Sequence, residues 1–225
     1  MILCDVLFHL TTPLVVDDAI HLDALLMAVH PQAVQTPEVL RRLRDGDLPD
    51  LPLPISRAAV GESWVYAAST IDLSPDARPF SGMYTKRTTV EDAKNLQKNI
   101  MVIGGVFKDK LAKANGYICP TVSFVVETPD VAALRELCAR VQNIGRLRGQ
   151  GYGQVFSFDI QPRQSHWHET LCRDGMAVRN IPACFFHEEA SSQINARPPY
   201  WGMSRRELGA APGDAVTLRD EVTLC

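Results

Sequence analysis

Long apolar runs are missing from this 225-residue chain. No stretch approaches the roughly 18 consecutive apolar residues of a membrane span, so no membrane association is expected. Closely spaced cysteine pairs are missing too. Cys4, Cys119, Cys138, Cys172, Cys184 and Cys225 are scattered with no CxxC among them, which argues against a disulfide framework and for reduced thiols in a cytoplasmic protein. The apolar opening MILCDVLFHL lacks a basic leader and carries Asp5, so it does not read as a signal peptide. Positive charge is not in excess either: 23 Lys and Arg stand against 26 Asp and Glu, a net charge of -3. As an average, that balance speaks against a polyanionic ligand. What is present is 46% hydrophobic and 22% charged residues with a mean hydropathy of -0.06. This is the composition of a globular chain long enough for one large domain or two small ones.

Residues 1–10 alternate in the period of a strand, with Ile2, Cys4, Val6, Phe8 and Leu10 on one side. Asp17-Asp18 is expected to cap a helix whose stripe is Ile20, Leu22, Leu25, Leu26 and Val29, ending before Pro31. Thr36-Pro37 predicts a second short helix reaching Gly46, and residues 48–54 form a proline-rich linker. Residues 55–70, with Val60, Trp64, Val65 and Tyr66, suit a strand. Residues 71–115 show no clean period and read as a long irregular insertion. Residues 116–128 alternate again. Thr128-Pro129-Asp130 then opens a helix carrying Val131, Leu134, Leu137, Cys138, Val141 and Ile144, stopped by Gly145. Residues 153–161 form a last strand, and residues 162–225 an aromatic, loop-rich extension. The order βαββαβ is that of a ferredoxin-like, RRM-like α+β fold. Two ferredoxin-like halves remain an alternative.

Charge is unevenly spread along this order. Residues 84–163 hold 12 Lys and Arg against 7 Asp and Glu, while the rest of the chain holds 11 against 19. The densest basic cluster is Lys86-Arg87 with Lys94, Lys98, Lys108, Lys110 and Lys113. The plainer account is a solvated loop. The most informative segment is the glycine-rich loop of residues 145–153, which follows a helix and precedes a strand. Phosphate loops of nucleotide-binding folds have the opposite order, so neither a P-loop nor a Rossmann site is supported. Four glycines let a backbone come close, and Arg146 and Arg148 set guanidinium groups beside the gap. Gln150 adds a hydrogen-bonding group and Tyr152 a ring on which a base can stack. The alternative is a helix cap and tight turn, with solvated arginines and Tyr152 packed on the sheet.

With this loop and fold pattern, the chain resembles the RAMP superfamily of CRISPR-associated proteins over residues 1–161. The segment Ile20-His21-Leu22-Asp23-Ala24-Leu25-Leu26 resembles the first helix of members that cap the 5′ end of a guide RNA. Length, insertion and motif order look most like the guide-capping subunit of type IV effector complexes. The resemblance implies a RAMP domain (1–161), with residues 71–115 as a thumb, and a C-terminal extension (162–225). It implies a non-catalytic subunit holding the 5′ handle of a CRISPR RNA beside backbone, large and RNA-processing subunits, and near the target DNA's flanking motif. Lys86, Arg87, Arg146, Arg148, Gly149, Gln150, Gly151 and Tyr152 are then the expected RNA contacts, with no cofactor and no metal.

Other classes remain open. Some RAMP proteins cut precursor RNA without metal, which needs a base and an acid; His21, Tyr84 and Lys86 are the candidates. The resemblance assigns processing to another subunit. A protein-only scaffold is a third class. His166, His168, Cys172, Cys184 and His187 crowd together in sequence, but their spacing matches no common zinc module. Pro198-Pro199-Tyr200-Trp201-Gly202 is either a partner-binding edge or core of the extension, and Arg205-Arg206 either assists RNA binding or is soluble surface.

Overall fold

The computed structural model describes residues 1–16, 19–34, 51–86, 110–198, 200 and 206–225. The expected cap at Asp17-Asp18, the helix from Thr36, and most of the basic insertion lie outside them. The fold is mixed α+β, and its sheets are antiparallel throughout the described pairings.

Strand β1 (Ile2–Leu10) sits at the centre of the main sheet. It pairs on one side with β8 (Thr121–Thr128), in unbroken register from Ile2 opposite Thr128 to His9 opposite Thr121. On the other side it pairs with β9 (Val155–Pro162), and the short β5 (Asp72–Leu73) closes the far edge against β8. The order is therefore β5-β8-β1-β9. The alternation read in β1 and β8 decides which face is buried: Cys4, Val6 and Phe8 with Val122, Phe124 and Val126 form one continuous core. Helices α1 (Leu22–Val29) and α3 (Val131–Cys138) close this face with Leu22, Leu25, Leu26, Leu134 and Leu137. A four-residue helix α2 (Pro31–Val34) follows α1. Asp130 caps α3 as expected, its Oδ1 accepting from the Ala132 and Ala133 amides at 2.9 and 3.0 Å.

Several sequence expectations need correction. Residues 55–70 do not form one strand of the main sheet. Gly61, at φ +57°, turns the chain into the two-residue hairpin of β3 (Arg57–Val60) and β4 (Ser63–Tyr66). This hairpin belongs to a separate sheet with β15 (Thr223–Leu224). The alternating run 116–128 is two strands, because Cys119-Pro120 breaks it between β7 (Lys110–Ile118) and β8. The insertion is not irregular at its ends: β6 (Arg78–Lys86) and β7 form a nine-residue ladder. Gly82, Ala112, Ala114 and Gly116 share one face of it with Phe80 and Tyr84, and the small residues interrupt the hydrophobic period.

Helix α3 ends at Cys138, well before Ile144. Arg140 and Val141 amides donate back three residues, tightening the last turn. The chain then runs extended beside the start of β9, with the Ile144 amide donating to the Gly153 carbonyl and the Val155 amide to the Gln142 carbonyl. Val141 and Ile144 stay buried, so their helical spacing is real but not helical in origin.

The extension carries short strands: β10 (Cys172–Arg173), β11 (Met176–Ala177), β12 (Ile181–Pro182), β13 (Ser192–Ile194) and β14 (Glu207–Ala210). They surround a second core of Leu171, Ile181, Phe185, Phe186 and Val216, into which Ala58 and Val65 of the β3-β4 hairpin also pack. Among the described residues, no helix is long and apolar enough to cross a membrane.

Candidate nucleic-acid interface

The glycine-rich loop is anchored at its base and open at its tip. Gly145 (φ +87°), Gly151 (+83°) and Gly153 (+63°) take the left-handed conformation that glycine permits, as does the non-glycine Leu147 (+57°). A Cβ on Gly153 would lie 1.8 Å from the Ile144 carbonyl oxygen, and one on Gly145 2.5 Å from that of Val15. These two glycines are thus required by the chain itself. The Gly153 amide donates to the Pro13 carbonyl and the Arg146 amide to that of Val15, both at 2.8 Å. Between them Arg148–Gln150 makes one 3-10 turn. Arg148, Gly149, Gln150 and Gly151 are exposed, and a Cβ at Gly149 or Gly151 would meet nothing within 4 Å. Gly149 has neither a positive φ nor a close neighbour, so nothing among the described residues demands glycine there.

The β6-β7 hairpin is locked to the same anchor. Strand β2 (Leu14–Val15) pairs with Tyr117 and Gly116 of β7, and a Cβ on Gly116 would lie 1.9 Å from the Leu14 carbonyl oxygen. Leu14 and Val15 are therefore held between Gly116 of the hairpin and Gly145 of the loop. A side-chain contact adds to this joint: the Tyr152 ring leans on Phe80 of β6, centroids 6.0 Å apart at 49°. Tyr152 is half-buried in this contact, which serves packing first. A cleft of about 400 Å³ opens beside the joint, lined by Val16, Pro79, Phe80, Ser81, Asn115 and Tyr117.

The structure therefore brings together Arg146, Arg148, Gly149, Gln150, Gly151 and Tyr152, and ties them to the hairpin that ends in Lys86 opposite Lys110. The side chains of Lys86 and Lys110, and all of Arg87, Lys94, Lys98 and Lys108, lie outside the described residues. Exposed on the hairpin's other face are Met83 and Leu111, with Lys113 opposite Met83.

His21, the histidine considered for catalysis, is not available to a polymer in solution. It is 3% exposed, stacked on Tyr200 at 3.7 Å, and part of a buried cluster with Asp23 and Arg179. The Tyr200 hydroxyl donates to Asp23 Oδ2 at 2.6 Å. Arg179, fully buried, donates to that oxygen at 3.4 Å and to the carbonyls of Tyr66, Ala68, Asn180 and Ala196. Burial, then the nearby guanidinium, holds the His21 imidazole well below its ordinary pKa. The motif His21-Leu22-Asp23 thus joins α1 to the extension. Tyr200 takes part in this buried cluster, while Pro199 and residues 201–205 lie outside the described residues; Arg206 is exposed.

Nor do the histidines and cysteines between residues 166 and 187 converge. Among the described residues no group of three or more His, Cys, Asp or Glu is placed to hold a metal. The Cys172 thiol faces the Val216 carbonyl, and His166 Nδ1 accepts from the His168 amide. Cys184 is exposed although it lies in the apolar run 181–186, whose Ile181, Phe185 and Phe186 are buried.

A polar contact without a local sequence signal lies on the main sheet's second face: His9 Nε2 is at hydrogen-bond distance, 2.9 Å, from Asp159 Oδ2. The polar side of the β1 alternation carried the signal, but its partner is 150 residues away. Asp5 and Glu127 share this face. Burial raises the pKa of the Glu127 carboxyl. No family model matches the chain, and neither does any curated protein.

Proposed function

We propose that the chain is a non-catalytic RNA-binding subunit that caps the 5′ handle of a CRISPR RNA in a type IV effector complex. The observation that carries this reading is the exposed, arginine-bearing tip of the glycine-rich loop, fixed to a basic hairpin through Leu14, Val15 and the Tyr152-Phe80 contact. An anchored loop whose tip Gly149 has no close neighbour among the described residues suits close approach of a phosphate backbone, which Arg148 and Arg146 neutralise. The strand order β5-β8-β1-β9, with helices after the first and before the last strand, supports a ferredoxin-like RAMP fold. The hairpin takes the place of its thumb. Partners on this reading are the guide RNA, the backbone, large and processing subunits, and target DNA beside its flanking motif.

The test is RNA binding by the full chain with and without Arg146→Ala and Arg148→Ala. Each lost phosphate contact should lower the slope of log K against log salt by about 0.7 for a single strand. Handle-bearing RNA should co-purify with the wild type after co-expression with a CRISPR array. Equal affinity and equal salt slope in wild type and double variant would refute the site. Metal-independent cleavage of repeat RNA by the isolated chain would instead support a nuclease.

A further inference from the structure

A bulge at the start of β9 leaves one aromatic ring exposed beside the turn that follows α3. Phe158 and Ile160 lie on the face of β9 that the helices cover, opposite Phe8 and Val6; beyond them the strand bulges, Ser157 pairing with His9 and Val155 with Leu10, so that Phe156 has no partner in β1. Ile160 is buried and Phe158 rests on Phe8, with ring centroids 6.1 Å apart. Phe156, the extra residue of that bulge, is 79% exposed. A cleft of about 480 Å³ lies there, between the turn after α3 and the start of β9. That volume falls in the range of roughly 300–1,000 Å³ usual for small-ligand sites. Its walls alternate ring and hydrogen-bonding groups: Phe156 and Phe158 beside Gln142, Asn143, Gln154 and Ser157.

We propose that this cleft takes one unpaired base of single-stranded RNA, stacked on Phe156. The inference rests on the RNA-binding reading above and extends it to the other side of the same loop. Three features favour a base over a phosphate or an apolar peptide side chain. The cleft lies at the carboxyl end of α3, the negative pole of the helix, which disfavours phosphate and favours the amino groups of a base edge. The side-chain amides of Gln142 and Gln154 carry both donors and acceptors, as a Watson–Crick edge does. Positive charge is placed around the cleft instead: the exposed Arg135 guanidinium is 5.9 Å from the Phe158 ring, and Arg146 and Arg148 lie along the loop joining the cleft's two walls. The Asn143 side-chain nitrogen Nδ2 also donates to the Tyr152 carbonyl at 3.3 Å, tying the cleft wall to the loop.

The experiment uses the full chain and a single-stranded repeat-derived RNA carrying 2-aminopurine at successive handle positions. Phe156→Ala should weaken binding roughly 5- to 150-fold with the salt slope unchanged, and should abolish the fluorescence quenching seen at one position with the wild type. Phe156→Tyr should retain both affinity and quenching. Because Phe156 is exposed, neither variant should alter folding, which circular dichroism checks. If the wild type binds RNA and Phe156→Ala binds it equally, or no position is quenched, the cleft is refuted while the loop stands. A chain that keeps its RNA but loses a protein subunit on Phe156→Ala also overturns the proposal. If the wild type binds no RNA at all, both readings fall.

Discussion

Two glycines four residues apart in one loop are expected to respond in opposite ways to the same substitution. Gly153→Ala places a methyl group where the Ile144 carbonyl oxygen stands, 1.8 Å from the ideal Cβ, in a residue at φ +63°. The left-handed conformation alone disfavours alanine by roughly 1–2 kcal/mol. Relieving the contact means moving backbone that carries the Ile144-to-Gly153 and Gly153-to-Pro13 hydrogen bonds, each worth about 1 kcal/mol net. The loss should therefore be about 2–4 kcal/mol. Gly149→Ala meets nothing within 4 Å at an ordinary φ, so its effect on stability should stay within about 0.5 kcal/mol. Urea unfolding followed by circular dichroism measures both, and RNA titration of the same samples separates fold from function. Gly149→Ala should lower RNA affinity while leaving the unfolding midpoint in place, since the new methyl group occupies the space a phosphate backbone would use. A Gly149→Ala chain as unstable as Gly153→Ala, or a Gly153→Ala chain as stable as wild type, would refute this reading of the loop.

Asp23→Asn breaks the buried pair with Arg179 while leaving the guanidinium inside, and should cost about 3–5 kcal/mol in thermal or urea unfolding; a change below about 1 kcal/mol would mean that the cluster does not join α1 to the extension. Stability should also depend on pH through His21. Its folded pKa lies well below the unfolded value of about 6.5, so the unfolded chain takes up a proton that the folded chain refuses. Stability is then retained above that pH and lost as pH falls below it, by up to about 1.4 kcal/mol per pH unit. His21→Phe, which keeps a ring against Tyr200, should flatten that slope, and an unchanged slope would acquit His21. Asp130→Ala removes the cap of α3 and should cost about 1 kcal/mol in the same unfolding assay.

The sequence made local features legible and hid those that depend on distant partners. Strands β1 and β8 and the Asp130 cap could be read because one face of each element is buried and the signal repeats within a few residues. The β6-β7 ladder was invisible because its inner face interleaves Phe80 and Tyr84 with Gly82, Ala112, Ala114 and Gly116, and the small residues break the hydrophobic period. Val141 and Ile144 misled for a different reason: an extended segment buried against the sheet happened to have helical spacing. At the candidate interface, the need for glycine at 145 and 153 was legible as a class of conformation. Which glycines serve the fold and which face open space depends on Leu14, Val15 and Ile144, which are far from the loop in sequence or meet it only through the folded chain. The Asp23-Arg179 pair, 156 residues apart, had no local signature at all.

Electrostatics decides on which side of the molecule an RNA strand can lie. An RRM binds RNA on its open sheet face, through aromatic residues that stack bases. Here the face turned away from α1 and α3 presents Asp5, Leu7, His9, Thr121, Ser123, Ser157, Asp159 and Gln161, none of them aromatic. The arginines near it are held by carboxylates: Arg163 donates to Asp5 at 2.9 Å and also pairs with Glu169, and Arg173 pairs with Asp72 at 2.8 Å. Part of the face is covered as well, since the turn Trp167–Thr170 packs on β8 and leaves Leu3 and Val125 buried. A strand of RNA crossing this face would meet carboxylates without gaining a stacking surface. The loop edge differs in both respects. Arg148 there has no carboxylate partner among the described residues, and Phe156 offers a ring to solvent. The acidic average of the chain is therefore compatible with a bound polyanion, because its carboxylates hold the sheet face and the extension together while the loop edge keeps the exposed arginines.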